Sequence, residues 1–157
     1  MEYGNKIEIM ELLAKHEETI YRLYMAYAAR FPEKSRLWEE LAKEQKSHAA
    51  WIRMLEKDVS DDYIDFDPEK YEKAAINSSI KFMEDKIDEA RNDDFTLVNA
   101  LSIALNMEKS FIERTHFDFF GGELGMMKKV FEDLKESAGG HADKIERELY
   151  REKFHGT

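Results

Sequence analysis

Apolar residues recur every three or four positions along four long stretches of the chain, which is the period of an amphipathic helix. The first stretch covers about residues 6–29 and ends before Pro32, and the second runs from about Glu33 or Ser35 to Lys57. Their inward-facing positions are Met10, Leu13, Glu17, Ile20, Tyr24, Tyr27 or Ala28, and then Trp38, Leu41, Gln45, His48, Ile52 and Leu55. Together they predict a helical hairpin.

Two further stretches predict a second hairpin. Asp93 or Asp94 is the predicted N-cap of the third helix, and Gly121-Gly122 is its predicted end. The fourth helix is predicted to start near Glu123. Gly139-Gly140 predict a kink or a break in it, because each interior glycine costs about 1 kcal/mol relative to alanine. The inward positions are Leu97, Leu101, Ala104, Glu108, Phe111 or Ile112, Thr115 and Phe119, and then Met127, Val130 or Phe131, Leu134, Ala138, His141, Ile145 and Leu149.

The segment between the hairpins is polar, and its Asp67-Pro68 pair is typical of a helix start. A helix of about 25 residues is roughly 37 Å long, so this connection needs short helices of its own, through about Arg91, to cross the bundle. The pattern predicts an all-α four-helix bundle with one long crossover. Its parts are a first hairpin at about 6–57, a crossover at about 58–93 and a second hairpin at about 94–154, within a single domain over 1–157.

The amino-acid composition argues against several classes of function. The net charge of −10 disfavours a nucleic-acid partner and an anionic membrane surface. The chain has no cysteine, which excludes disulfides, thiolate metal sites and thiol nucleophiles, so any electron donor must be another molecule. Neither a signal-peptide pattern nor an apolar run of membrane-spanning length is present, and a cytoplasmic location is the expectation.

The two hairpins contain an internal repeat in their second helices. L-W-E-E-L-A-K-E-Q-K-S-H-A at residues 37–49 aligns without a gap with V-F-E-D-L-K-E-S-A-G-G-H-A at residues 130–142. Both segments have an apolar residue, an aromatic residue, a glutamate, an acidic residue and a leucine, and then six further residues before His-Ala. The alignment pairs His48 with His141.

The first helices repeat as well. L-A-K-H-E-E-T-I at residues 13–20 aligns with A-L-N-M-E-K-S-F at residues 104–111, which pairs Glu17 with Glu108. The two glutamates precede the histidines of their hairpins by 31 and 33 residues. Each half of the chain therefore places one glutamate and one histidine on inward faces.

Two carboxylates and two imidazoles near the middle of a bundle predict a divalent-metal site, since a buried carboxylate is costly unless it is paired or coordinated. The predicted ligands are Glu17, His48, Glu108 and His141. Zinc, manganese and ferrous iron all accept this ligand set. The alternative is that each glutamate and histidine form a buried ion pair, or that each histidine is a hydrogen-bonded core residue, without metal.

The motifs resemble the ferritin-like superfamily and, within it, the rubrerythrin-like di-iron bundles. The matching residues are Glu17 in K-H-E-E-T-I-Y-R-L-Y, with Tyr24 seven residues later, His48 in L-A-K-E-Q-K-S-H-A-A-W, Glu108 in A-L-N-M-E-K-S-F-I-E-R and His141 in G-G-H-A-D-K-I. The resemblance implies a glutamate from one helix of each hairpin and a Glu-x-x-His pair from the other, which together hold two irons. It also implies reduction of peroxide or oxidation of ferrous iron.

The chain departs from that family pattern at two positions. Gln45 stands three residues before His48, and Ala138 stands three residues before His141, where the family has the glutamates that typically bridge the metals. Two divalent ions carry four positive charges, whereas Glu17 and Glu108 supply only two negative ones. The sequence therefore predicts at most one tightly bound ion.

Three neighbouring side chains are candidate helpers at this site. The Gln45 carbonyl can assist as a ligand, and Tyr24 can hydrogen-bond to a ligand or serve only in core packing. Glu44 stands four residues before His48, but it is rotated about 100° from Gln45 toward a flank of the helix. Glu44 is therefore expected to be a solvated charge, as is Asp143 near the other histidine.

The leading hypothesis is a metal-binding bundle with an altered site, whose enzyme activity would be oxidoreductase chemistry of the peroxidase or ferroxidase type. Its cofactor is iron by family resemblance, with zinc or manganese as alternatives, and its substrate is peroxide, oxygen or ferrous iron. The second hypothesis is a non-catalytic structural or interaction bundle with a retired site and no metal. The third is a full di-iron enzyme in which Glu44 or another acid replaces the missing ligands. The family resemblance, together with an exposed aromatic set such as Trp51, Phe117 and Phe120, makes a homodimer the expectation.

Overall fold

A computed structural model of the chain describes residues 2–60, 73–114 and 125–154, with the side chains of 7–54, 56–57, 73–110, 136 and 140–154. The elements are α1 (Glu2–Arg30), a short 3-10 helix (Pro32–Lys34), α2 (Ser35–Ser60), α3 (Lys73–Glu89), α4 (Leu97–Arg114) and α5 (Gly125–Phe154). These described ranges contain helices and no strand, which confirms the all-α prediction. None of their helices has the length and the apolar character needed to cross a membrane.

The first hairpin turns at the predicted proline. The backbone N–H of Phe31 still donates to the carbonyl of Tyr27 at 2.9 Å, and Pro32, which has no N–H to donate, begins the 3-10 helix. The N–H of Lys34 donates to the carbonyl of Phe31 at 2.9 Å, and α2 follows at Ser35. Because this turn is tight, α1 and α2 pack along each other.

Aromatic side chains form the part of the core nearest this turn. Trp38 is fully buried, with its ring centroid 5.7 Å from that of Tyr24 and 5.0 Å from that of Tyr27. Phe95, just before α4, lies 5.7 Å from Tyr27 and 6.0 Å from Phe31. The cluster therefore joins both helices of the first hairpin to the start of the second.

Helix α3 is the helical piece that the crossover was predicted to contain. It buries Ile76, Ile80 and Met83, which at spacings of four and three share one face, and it packs against α1. Lys73 pairs with Glu8 of α1 on the surface. Helix α3 therefore forms a wall along one side of the first hairpin.

The N-terminus of α4 differs from the prediction, since the N-cap is Thr96 and neither Asp93 nor Asp94. The Thr96 N–H donates to the Asn99 side-chain oxygen at 3.0 Å, and the Asn99 N–H donates to the Thr96 hydroxyl at 3.1 Å. Phe95, directly before the cap, is only 8% exposed. The chain has to bury this phenylalanine before the helix can start, which moves the cap past the two aspartates.

The second hairpin consists of α4 packed along α5, and α5 also contacts α2. Helix α5 is continuous through Gly139-Gly140, so the predicted break does not occur. Other predictions concern residues, or side chains, outside the described part of the chain: Leu55, Asp67-Pro68, Phe111, Ile112, Thr115, Phe117, Phe119, Phe120, Gly121-Gly122, Glu123, Met127, Val130, Phe131, Leu134 and Ala138.

The inward faces predicted from the sequence are buried where the structure describes them. The confirmed positions are Met10, Glu17, Ile20, Tyr24, Tyr27, Ala28, Trp38, Leu41, Gln45, His48, Ile52, Leu101, Ala104, Glu108, His141, Ile145 and Leu149. Leu13 and Leu97 are half-buried. Trp51 is 42% exposed, as expected for one member of the aromatic set.

Replacement of the two tryptophans of α2 tests where the core lies. Trp38→Ala should lower the free energy of unfolding by about 3–5 kcal/mol, because it empties a fully buried site. Trp51→Ala on the same helix should lower it by about 1 kcal/mol or less, since that side chain is half in solvent. Urea denaturation of both variants checks this, and equal losses would contradict the described core.

Candidate metal centre

Buried polar side chains from the four long helices meet in the interior. Glu17 of α1, His48 of α2, Glu108 of α4 and His141 of α5 are between 1% and 5% exposed, and Gln45 of α2 lies among them at 3%. Helical periodicity brings each of them inward, because each falls on the apolar stripe of its own helix. All four predicted ligands are therefore in one buried group.

The first hairpin contributes a loosely spaced glutamate–histidine pair. Nδ1 of His48 lies 3.9 Å from Oε2 of Glu17, which is longer than a hydrogen bond. The His48 ring lies against Trp51, with 5.6 Å between centroids, and nearly parallel to the His141 ring at 6.4 Å. The imidazole is thus held between an outer aromatic side chain and the second histidine.

The second hairpin contributes the matching pair, in closer contact. Nδ1 of His141 lies 3.3 Å from Oε1 of Glu108, so in both hairpins the Nδ1 atom faces the glutamate. The hydroxyl of Tyr24, which is fully buried, donates to the same Oε1. Tyr24 therefore serves both alternatives considered for it, as a core residue packed on Trp38 and as a hydrogen-bond donor to a candidate ligand.

Glu44 was expected to be a solvated charge, and this expectation is wrong. Its side chain is 47% exposed, yet its carboxylate contacts Nε2 of His141 on the adjacent helix. The flank of α2 that carries Glu44 faces α5, so a side chain pointing away from the centre of the bundle still reaches the histidine. A carboxylate on the outer nitrogen of a histidine fixes its ring and leaves the inner nitrogen for a metal, a common arrangement in metal sites.

Gln45 occupies the position where the family pattern has a carboxylate. Its Nε2 lies 3.4 Å from Nδ1 of His141, while its Oε1 is buried without a hydrogen-bond partner among the described side chains. A buried acceptor without a donor costs about 1–3 kcal/mol. The centre of the site thus has an unmatched acceptor beside its two carboxyl groups.

Burial and neighbouring charges shift the pKa of three side chains at the site. Burial, followed by the charge of Glu108, raises the pKa of Glu17 from 4.5 to about 8. Burial alone would lower the pKa of His141, but hydrogen bonds and charge from Glu108 and Glu44 outweigh it, and the net shift is upward. Burial and Glu108 raise the pKa of Tyr24 well above its ordinary value of 10. At neutral pH the site therefore holds a proton on Glu17, and the pKa of His141 is shifted toward the protonated form.

The donor set suits a divalent metal, although the side chains would have to adjust. Histidine nitrogen and carboxylate oxygen on one tetrahedral ion lie about 3.4 Å apart. The two glutamate–histidine pairs have separations of 3.3 and 3.9 Å, close to that value. As the side chains stand, however, no three His, Asp or Glu residues of the described part form a group that could hold a metal.

Two hollows reach the site from opposite sides. One of about 480 Å³ is lined by residues of α1 to α4, including Glu17, Gln45, His48 and Glu108. The other, of about 520 Å³, lies between α2 and α5 and includes Glu44, His48, Trp51 and His141 in its lining. His48 therefore lines both hollows.

The pH dependence of stability tests the protonation of Glu17. The folded state keeps a proton on Glu17 up to about pH 8, whereas the unfolded chain loses it near pH 4.5, so the free energy of unfolding should fall as pH rises between these values. The raised pKa of His141 acts in the same direction above pH 6.5. Glu17→Gln should reduce the slope and leave the part due to His141 and to the other shifted groups.

Urea titrations of metal-free protein at pH 5, 6, 7 and 8 measure this slope. The control is Glu39→Gln, at an exposed glutamate of α2, which should keep the wild-type slope. Equal slopes in wild-type protein and Glu17→Gln would show that the buried carboxyl is not protonated as described.

The tyrosine contact has its own test. Tyr24→Phe removes only the hydroxyl that donates to Glu108, and it should lower the free energy of unfolding by about 1.5–3 kcal/mol. Tyr21→Phe on the same helix is the matched control, since Tyr21 is half-buried, and its effect should stay within about 0.5 kcal/mol. Equal effects in denaturation experiments would contradict a specific role for the Tyr24 hydroxyl.

The seven residues singled out as ligands or helpers all belong to this connected group: Glu17, Tyr24, Glu44, Gln45, His48, Glu108 and His141. The sequence did not indicate the wall formed by α3, where the side chains of His16 and Ser79 are 2.8 Å apart. Such a contact across 63 residues has no periodic signal in the sequence.

Comparisons of the chain with family models, with curated proteins and with solved structures found no match.

Proposed function

We propose that this chain is a ferritin-like four-helix bundle that binds one divalent metal ion through Glu17, His48, Glu108 and His141. The observation that carries the proposal is the meeting of these four side chains, one from each long helix, in the buried interior. The order of elements supports the ferritin-like fold, because two hairpins are separated by a crossover that contains α3.

Charge supports a cation at this place. The charge of Glu108 contributes to the raised pKa of Glu17, and the described residues lining the cavity beside these two glutamates include no lysine or arginine. Metal ligands must be deprotonated, so binding would release the proton of Glu17 and compete with protonation of His141, whose pKa is raised. Affinity is therefore expected to rise with pH through the neutral range.

The arrangement supports one ion in preference to two. Glu44 contacts the outer nitrogen of His141, away from Glu108, so it does not replace the bridging carboxylates of the family pattern. Two buried carboxylates balance the charge of one divalent ion and not of two. This favours the single-metal hypothesis over the full di-iron enzyme.

The resemblance to rubrerythrin-like proteins adds a proposal for the metal and the reaction. Iron is the metal that the resemblance implies, with zinc and manganese as alternatives. Bound iron would supply redox chemistry toward peroxide, oxygen or ferrous iron. The chain has no cysteine for an electron-donating iron centre of its own, so the donor would be another molecule.

A second candidate function is a non-catalytic bundle with a retired site. Its support is that Glu44 and Glu108 enclose His141, while Tyr24 donates to Glu108, which satisfies the second hairpin's half of the site without metal. In this case the polar group would stabilise a structural or interaction module.

Metal content separates the two functions. Metal-free protein reloaded separately with ferrous iron, manganese or zinc at pH 8 and then desalted should retain close to one equivalent of at least one metal by mass spectrometry. His48→Ala and Glu108→Gln should lose most of it, because each removes a ligand from a four-ligand set. His16→Ala is the matched control, a half-buried histidine of α1 that should leave the stoichiometry unchanged.

The melting temperature provides a second, independent measurement of metal binding. A bound metal stabilises the folded state by mass action, so the melting temperature of the wild-type protein should rise with metal concentration, and that of His48→Ala should not. Substoichiometric retention of all three metals, with no shift in melting temperature, would contradict the metal-binding proposal. It would favour the non-catalytic bundle with a retired site.

A further inference from the structure

The cavity beside Glu17 is larger than a metal ion requires. Its volume of about 480 Å³ falls in the range of about 300–1,000 Å³ that is typical of small-molecule sites. Phe82 of α3 lines it and is 46% exposed, whereas Ile20 and Met83, which also line it, are 6% and 1% exposed. The cavity thus leads from the surface at α3 into the interior.

Its walls and its inner end differ in chemistry. Ile20, Met83 and Met107 are apolar wall residues, and the methionines can adapt to ligands of different shape. The inner end has the carboxyl groups of Glu17 and Glu108. A ligand that fits both ends has a hydrocarbon body and a polar head.

The Gln45 side chain indicates which polar head group of a ligand fits the inner end of the cavity. It lines the cavity, it is 3% exposed, and its Oε1 has no hydrogen-bond partner in the part of the chain whose side chains are described. Together with the two carboxyl groups it forms a set of acceptors. The described residues around the cavity include two histidines but no lysine or arginine, so an anionic head would meet two carboxyl groups and no permanently cationic side chain there.

We propose that this cavity binds a small primary alkylamine, with its ammonium group at Gln45, Glu17 and Glu108 and its hydrocarbon chain along Ile20 and Met83. An ammonium group has three N–H donors and no acceptor, which matches three acceptors at the inner end. Its positive charge compensates the carboxylates, and its chain removes the apolar walls from water. This ligand goes beyond the metal proposal, and it competes with a metal for the two glutamates.

Calorimetric titration of metal-free wild-type protein in chelator with three ligands of equal chain length tests the proposed chemistry. n-Hexylamine should bind with one ligand per chain. Hexanoate and 1-hexanol should bind at least about tenfold more weakly, since the first is repelled by the carboxylates and the second satisfies fewer acceptors. Equal affinity for the three ligands, or no binding of n-hexylamine, would overturn the proposal.

Two adjacent alanines of α3 locate the binding site. Ala75 lines the cavity and Ala74 is exposed outside its lining, so Ala75→Trp should weaken n-hexylamine binding at least about tenfold, whereas Ala74→Trp should leave it unchanged. Equal affinities in the two variants would place the amine elsewhere and refute the proposal. Should Ala75→Trp fail to fold, the comparison of the three ligands on wild-type protein still decides.

The metal assay keeps this inference separate from the proposed function. Neither alanine is among the four proposed metal ligands, so loss of amine binding with retention of one metal equivalent contradicts the amine site alone. Amine binding by a protein that retains no metal contradicts the metal proposal alone.

Discussion

Two carboxyl groups, those of Glu17 and Glu108, lie close together in the interior of a helical protein, and the chemistry of the site depends on how they are neutralised. A buried carboxylate costs several kcal/mol unless a donor, a proton or a cation compensates it. Glu108 receives the Tyr24 hydroxyl and faces His141, whereas Glu17 lies 3.9 Å from His48 and has its pKa raised to about 8. The carboxyl group of Glu17, which holds a proton in the metal-free protein, is also one of the four ligands proposed for a divalent ion.

The fold supports this arrangement because each long helix supplies one member of the group from its apolar stripe. The aromatic cluster around Trp38 fixes the first hairpin and joins it through Phe95 to the second, and Tyr24 belongs both to that cluster and to the site. Glu44 extends the site outward to a half-exposed position on α2. Stability and site geometry are therefore coupled through shared side chains.

The sequence predicted the parts of this account that depend on helical period. The repeat matched Glu17 to Glu108 and His48 to His141, which gave each hairpin one inward glutamate and one inward histidine. The structure places the two side chains 3.9 Å apart in the first hairpin and 3.3 Å apart in the second, because a position on an apolar stripe determines which way a side chain faces. The sequence could not predict that the flank carrying Glu44 faces α5, since that depends on how separate helices pack. The Thr96 cap and the cavity wall of α3 were missed for the same reason: tertiary burial of Phe95 and of α3 decides them.

The most direct test of the central claim, that one divalent ion takes the place of the interior protons, is anomalous X-ray diffraction at the absorption edge of the metal that the protein retains. The account predicts a single strong peak within coordination distance of Glu17, His48, Glu108 and His141, with Glu44 still on the outer nitrogen of His141. An interior without a peak, with metal only at surface carboxylates, would contradict it.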